Sequence, residues 1–273
     1  MPELPEVETV VREIRSGLLK RTITAARFSI PRQVEPQTPR EVAKAVTGQS
    51  IRGVERRGKY ILIRLDRGLL IVHLRMTGRL YVREAADGER AHERAWFDLD
   101  NGRVLAFRDA RTLGVIRYFN GSTTKDLLSE LGWEPLSDRV SLAEVKVVLS
   151  RRRIAIKPLL LDQKVWAGIG NIYASEILWE AKINPRKRAS RLTRKETERL
   201  REWVPRVLRR ALERGGSTLR DFVGVDGRGG SYQREFRVYG REGEPCLHCG
   251  APIRRIVQAQ RSTYYCPRCQ KGS

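Results

Sequence analysis

No apolar run in the chain reaches the roughly 18–20 residues that a membrane-spanning helix requires. The N-terminus is acidic and lacks the basic-then-apolar order of a secretory signal. Cysteine is absent until Cys246, and without a secretory signal the four that follow are poor candidates for disulfides. There is no internal repeat and no long low-complexity tract. Acidic residues are scarce against basic ones: 32 Asp and Glu face 54 Lys and Arg, a formal net charge of +22. That excess goes well beyond what solubility needs and points to a polyanion partner. The basic residues are spread along the chain, not gathered in one amphipathic helix, which favours nucleic acid over a membrane surface. Arginine outweighs lysine, and its planar fork suits phosphates and base edges. The expected setting is the cytoplasm, with no membrane partner.

What is present begins at residue 2. If Met1 is removed, Pro2 becomes a free secondary amine with Glu3 and Glu6 close behind. An exposed amine can attack an electrophilic sugar carbon and form a Schiff base, and a neighbouring carboxylate can move the protons. The reference α-amino pKa of about 7.7–8, against about 10.4 for lysine, leaves far more free base near neutral pH. Taken alone, the hexapeptide reads more simply as a start methionine followed by solvated glutamates.

The 273 residues, 40% of them hydrophobic, suffice for two domains with a sizeable core. Val7, Val10, Val11, Ile14 and Leu18 recur at a helical period over residues 5–19. From about 22 to 119 the pattern is strand-like. Ile51–Leu65 and Leu69–Leu74 flank the turn signal Asp66-Arg67-Gly68, and Trp96–Leu99 and Val104–Phe107 flank Asp100-Asn101-Gly102. Val115–Phe119 reads as a further strand, so two packed sheets or a barrel are expected. After Asn120 the spacing predicts helices over 124–131, 142–149, 171–181 and 193–214. Thr193 and Glu196 form a capping-box pattern, Pro205 should kink or interrupt the last helix, and Gly215-Gly216 should end it. Residues 224–230 are too glycine-rich for regular structure.

Cys246-x2-Cys249 and Cys266-x2-Cys269, sixteen residues apart, have the spacing of a four-thiolate zinc site. The interval has room for a β-hairpin between two knuckles. A closed four-sulfur shell leaves no open position, so the metal is expected to be structural. His248 lies inside a knuckle but is not needed as a ligand. Arg254, Arg255 and Arg261 lie between the knuckles, where a rigid hairpin would offer them to a phosphate or a groove.

Several separated motifs together resemble the formamidopyrimidine-DNA glycosylase family of bifunctional base-excision repair enzymes. They are Met1-Pro-Glu-Leu-Pro-Glu-Val-Glu-Thr9, Arg56-Arg-Gly-Lys-Tyr60, His73-Leu-Arg-Met-Thr-Gly78, Leu160-Leu-Asp-Gln163, Gly168-Ile-Gly-Asn-Ile-Tyr-Ala174, Gly215-Gly-Ser-Thr218, Val238-Tyr-Gly-Arg241 and the cysteine segment. The match runs from Met1 to about Gln270. The resemblance implies an α+β fold: an N-terminal β-sandwich with flanking helices over 1–134, a helix-two-turn-helix region over 135–236 with a flexible loop at 222–232, and a zinc finger over 237–273. It implies DNA in a basic cleft between the two halves, one structural Zn2+, no organic cofactor, and a monomer working on damaged double-stranded DNA in a bacterial cytoplasm, at the nucleoid.

The resemblance also implies roles. Pro2 is the nucleophile that attacks the sugar, Glu3 the proton shuttle, and Glu6 a support of the site. Lys59 resembles the lysine that assists lesion handling and strand cleavage. Arg261 resembles the finger arginine that grips phosphate and aids the second elimination. The target nucleotide must be flipped out of the stack. Met76, Arg111 and Leu113 fall at the positions of the residues that fill the gap, two as wedges and the arginine on the orphaned base. Asn171, at a helix start, suits a phosphate, although it is also a common helix cap. His92, Arg152 and Lys157 are further DNA-contact candidates. Without the resemblance Met76 and Leu113 read as core, Lys59 as a lysine on a solvated strand face, and the run around Arg152 and Lys157 as a solvated basic face.

The chain departs from the family pattern in two places. Arg111-Thr-Leu-Gly114 stands where Arg-x-Phe-Gly is frequent, and Gln260-Arg261-Ser262 where Gly-Arg-Gly is frequent. The expected activity is excision of oxidised purines, chiefly 8-oxoguanine and formamidopyrimidines, followed by β,δ-elimination. The alternatives are an endonuclease VIII-like enzyme for oxidised pyrimidines, against which Leu4 argues, and a non-catalytic DNA-binding relative.

Overall fold

The computed structural model describes residues 1–120, 128–217 and 230–271. Two compact units are present. The first comprises 1–130 with 215–230, and the second 131–214 with 231–273.

The first unit opens with α1 (Leu4–Leu18), whose apolar stripe Val7, Val10, Val11, Ile14 and Leu18 is buried. Each such side chain contributes on the order of 1.5–3 kcal/mol. Eight strands follow: β1 (Ile23–Phe28), β2 (Ile51–Arg57), β3 (Tyr60–Leu65), β4 (Leu69–His73), β5 (Arg79–Glu84), β6 (Glu93–Leu99), β7 (Arg103–Arg108) and β8 (Val115–Phe119). They form two antiparallel sheets, ordered β1-β6-β7-β5 and β2-β3-β4-β8. One buried cluster, including Ile61, Ile63, Leu70, Val72, Phe97, Leu105, Phe107 and Ile116, joins both sheets and α1. The unit is therefore a sandwich, as one of the two expected arrangements had it.

Two details differ from the pattern in the sequence. The run Ile51–Leu65 is not one strand but the hairpin β2–β3, turned at Gly58-Lys59 with Arg57 paired to Tyr60. A helix, α2 (Pro39–Val46), interrupts the strand-rich stretch. Its signals were local: Thr38 caps Glu41 N–H, Glu41 reaches back to Thr38 N–H, and Pro39 stands at the first helical position.

The second unit carries α3 (Leu142–Ser150), α4 (Ile156–Leu161), α5 (Asn171–Glu180) and α6 (Arg194–Glu213), then the hairpin β9 (Arg254–Gln258) with β10 (Arg261–Tyr265). Thr193 caps α6 with Glu196 at its third position. Pro205 sits inside α6 without ending it. Residues 172–179 of α5 are all buried, which makes it the centre of this unit. Short α4 has no amphipathic period of its own to announce it. Of the helix expected over 124–131, residues 124–127 lie outside the described residues and 128–129 are helical; of the loop at 222–232, residues 222–229 lie outside them. Among the described residues no helix is long and apolar enough to cross a membrane.

Candidate active site

The start of α1 brings the first candidates together. Pro2 is buried, and Glu3 and Glu6 are each 2% exposed, so these glutamates are not a solvated terminus. Glu6 Oε2 accepts the Glu3 N–H at 2.8 Å. Its Oε1 accepts the Ser217 N–H at 2.7 Å and the Ser217 hydroxyl at 3.1 Å. One carboxylate thus fixes the peptide after Pro2 and the segment 215–217 relative to each other. Gly216 must be glycine here. Its φ is +78°, and a Cβ would lie 2.7 Å from Glu6 Oε1.

Lys59 lies at the tip of the β2–β3 hairpin and is 6% exposed, which removes the solvated-strand reading. Beside it, His73 pairs with Tyr60 across β3–β4, with ring centroids 4.8 Å apart. Burial, then the charges of Arg75 and Lys59, push the His73 imidazole down to about 3. Its neutral Nδ1 accepts the Arg75 N–H at 3.0 Å, and Arg75 takes φ +53°. That bond sets the turn carrying Met76. No position in the sequence marks His73 as more than a motif member.

Met76 (37% exposed) and Leu113 (48%) are surface side chains, not core. Arg111 and His92 are exposed on neighbouring segments of the same unit.

In the second unit, Asn171 is the first residue of α5, and Arg152 is exposed just after α3. Lys157 is not on a basic surface. It is fully buried, and its ammonium donates to Asn171 Oδ1 (2.6 Å), Ser262 O (2.9 Å) and Thr263 Oγ1 (2.8 Å). Asn171 Nδ2 also donates to Ser262 O, at 3.0 Å. Lys157 therefore acts on its surroundings by fixing Asn171 and the strand that follows Arg261. Arg261 itself is exposed at the start of β10. The turn before it is a two-residue hairpin loop with Ala259 at φ +46° and Gln260 at φ +59°. The left-handed turn forms without the family's glycines, against a steric resistance of about 1–2 kcal/mol per residue.

Sequence reasoning also missed Glu176, buried on α5. It accepts the N–H groups of Arg237 (2.8 Å), Val238 (3.0 Å) and Tyr239 (2.8 Å). A glutamate inside an apolar helix was the available signal. Burial pushes its carboxyl above the ordinary value despite these three donors.

The sulfurs of Cys246, Cys249, Cys266 and Cys269 all lie within 4.8 Å of one another. A tetrahedral zinc with bonds of about 2.3 Å sets its sulfurs about 3.8 Å apart. The Cys246–Cys269 and Cys249–Cys266 separations are 3.9 and 3.4 Å, and none of the four is in a disulfide. Burial and the neighbouring thiols raise Cys269 above its ordinary value, while backbone N–H groups of His248 and Cys249 outweigh burial and hold Cys246 down at about 6. Four thiols so close resist full ionisation without a cation, so the donor set fits a divalent, thiophilic metal. Zinc would hold the two knuckles together, and all four positions are taken by protein.

A zinc-stapled α+β protein is the class that the fold and the thiol cluster define. Residues 1–116 match the formamidopyrimidine-DNA glycosylase N-terminal domain, 131–223 the H2TH domain of the same enzymes, and 243–272 the zinc finger found in FPG and IleRS. The formamidopyrimidine-DNA glycosylase of Herpetosiphon aurantiacus is 46% identical over 99% of this chain and 100% of its own. That of Thioalkalivibrio sulfidiphilus is 44% identical at the same coverage. Among solved structures, a Lactococcus lactis FPG variant in complex with Fapy-dG DNA superposes with a TM-score of 0.92 at 34% identity, covering 99% of this chain and 100% of that one. The same organism's enzyme with abasic-site DNA gives 0.92 at 33% identity, again covering 99% and 100%. The chain belongs to the formamidopyrimidine-DNA glycosylase family.

Proposed function

We propose that Pro2, freed of Met1, is the nucleophile of a DNA glycosylase and lyase acting on oxidised purines in duplex DNA. The family carries the glycosylase reading. The observation that carries the Pro2 chemistry is the buried cluster of Pro2, Glu3 and Glu6 at the start of α1. The positive end of that helix disfavours protonation of an adjacent amine and favours a nearby carboxylate. The amine attacks C1′ of the flipped deoxyribose as the bond to the base breaks and the base leaves with a proton; the C1′–O4′ bond then opens, O4′ takes a proton, and the Schiff base to Pro2 forms. Glu3 shuttles the protons of base loss and of Schiff-base formation. Loss of a C2′ proton then expels the 3′ phosphate, and loss of the C4′ proton in the second elimination expels the 5′ phosphate. Water hydrolyses the adduct.

Lys59 assists the lesion and the strand cleavage, and Arg261 grips phosphate and aids the second elimination. Met76, Leu113 and Arg111 fill the gap left by the flipped nucleotide. His92, Arg152 and Asn171 contact the DNA. Lys157 supports Asn171. The division of labour follows 1–134 for chemistry, 135–236 for DNA binding and 237–273 for the finger. The matched relatives are bacterial, which supports reading this as a cytoplasmic bacterial enzyme that works on nucleoid DNA.

Borohydride should trap a covalent protein–DNA adduct on 8-oxoguanine duplex. Excision from thymine glycol duplex should be slower. Pro2→Gly should lose most base excision, and protein retaining Met1 should bind lesion DNA without cutting it. No trapped adduct from protein shown by mass spectrometry to begin at Pro2 would sink the mechanism.

A further inference from the structure

Four proposed DNA-contact residues stand on three separate segments. Met76 follows β4, His92 precedes β6, and Arg111 and Leu113 lie between β7 and β8. One residue ties the segments together, its carboxylate joining two of them and its backbone the third. Asp109 is fully buried; its Oδ1 accepts the Thr77 hydroxyl at 2.5 Å, and its Oδ2 accepts the Gly114 N–H at 2.7 Å and Gln33 Nε2 at 3.1 Å. The Thr77 oxygen in turn accepts the Arg111 N–H at 3.2 Å. The backbone of Asp109 adds two more links, donating to His92 O at 2.9 Å and accepting from Thr112 N at 3.3 Å.

The turn is also held from outside. Arg32 adjoins Gln33 on the 3-10 turn Pro31–Gln33, and it donates to Thr112 O at 3.2 Å and to the Thr112 hydroxyl. Thr112 takes φ +54°, which a β-branched residue avoids unless its surroundings impose it. Gly114 leaves no room for a side chain, because a Cβ would lie 2.3 Å from the Phe107 ring.

We propose that Asp109 is a positioning residue whose carboxylate holds Met76, Arg111 and Leu113 as one rigid wedge, with His92 anchored beside them through the Asp109 backbone. This rests on reading those four as duplex contacts. A buried carboxylate is expensive unless satisfied. Here every bond that satisfies it belongs to a group beside a contact residue or on the turn that braces them. Separately mobile loops would have to be ordered while base steps are being unstacked, and a pre-ordered set avoids that entropy loss. An asparagine keeps the shape and one oxygen for Gly114 and Gln33, but it turns an amide N–H toward the Thr77 hydroxyl and so removes the bond that Oδ1 accepts.

The test uses Asp109→Asn, Thr77→Val and Thr77→Ser in the full-length protein. One substrate is an 8-oxoguanine duplex with 2-aminopurine beside the lesion, whose fluorescence rises on unstacking. The other is a single strand with a preformed abasic site, which needs no wedge. Asp109→Asn and Thr77→Val are expected to lose about tenfold or more of duplex excision together with the fluorescence rise. Their abasic-strand cleavage should stay at the original level, and Thr77→Ser should behave like the parent. The proposal is overturned if folded Asp109→Asn and Thr77→Val keep both duplex signals, or if abasic cleavage falls in parallel. Should Asp109→Asn not fold, the Thr77 pair decides by the same criteria. Failure of the underlying reading looks different: the parent protein itself would excise the lesion with no fluorescence rise.

Discussion

Lys157 shows how far a residue's type can be from its task. In the sequence it extends a basic run, and charge alone sends it to a phosphate. In the structure its three donors are spent on Asn171, Ser262 and Thr263. Lys157→Met should take this donor from buried Asn171 Oδ1 and Thr263 Oγ1 and leave Ser262 O with Asn171 Nδ2 alone, lowering stability by about 1–3 kcal/mol. Below the melting temperature the variant should keep the slope of log affinity against log salt, because no cation that neutralises a phosphate is removed. Arg152→Ala should do the opposite, flattening that slope by about one counterion at unchanged stability. Chemical denaturation and salt titration of both variants check this. A flattened slope for Lys157→Met would put its ammonium back on the DNA.

Elements were legible where one local rule sufficed. Five apolar positions at a helical period announced α1, Asp100-Asn101-Gly102 announced the β6–β7 hairpin, and Thr193 with Glu196 announced α6. The cysteine spacing likewise announced the thiol cluster. What stayed hidden is tertiary. Nothing in the sequence joins Asp109 to Thr77, 32 positions away, or Glu6 to Ser217, 211 positions away. Glu93 belongs to the same kind. On β6 it pairs with Arg83 of β5 at 3.0 Å and accepts from Tyr81 at 2.6 Å and Trp96 at 2.7 Å. Burial pushes its carboxyl up, but these hydrogen bonds outweigh it and leave it below the ordinary 4.5. A lowered folded pKa means the stabilisation is complete above the ordinary 4.5 and is lost as pH falls from there through the folded pKa. Glu93→Gln should therefore cost about 3 kcal/mol or more at pH 7. The gap to the parent should narrow as pH is lowered below 4.5. Urea midpoints across that range measure it, and a constant offset at every pH would refute it.

At the scale of the molecule, the two units depend differently on the metal. The sandwich buries a continuous core and contains no cysteine. The second unit holds the four thiols, and its small cluster of Trp179, Val238, Ile253, Cys246 and Cys266 includes two of them. A hairpin of two five-residue strands has too little core to persist alone, so metal binding and folding are one event there. The same hairpin supplies Ser262 and Thr263 to Lys157, so its loss should free that ammonium and, with it, Asn171 at the start of α5. A strong chelator should thus release about one zinc per chain. Hydrogen exchange should then accelerate over 244–270 and at the start of α5, while β2–β8 remain protected. Lesion-DNA affinity should fall with the hairpin, since Arg261 is no longer held. Active protein without bound metal, or uniform deprotection of both units on chelation, would contradict a role for zinc confined to the second unit.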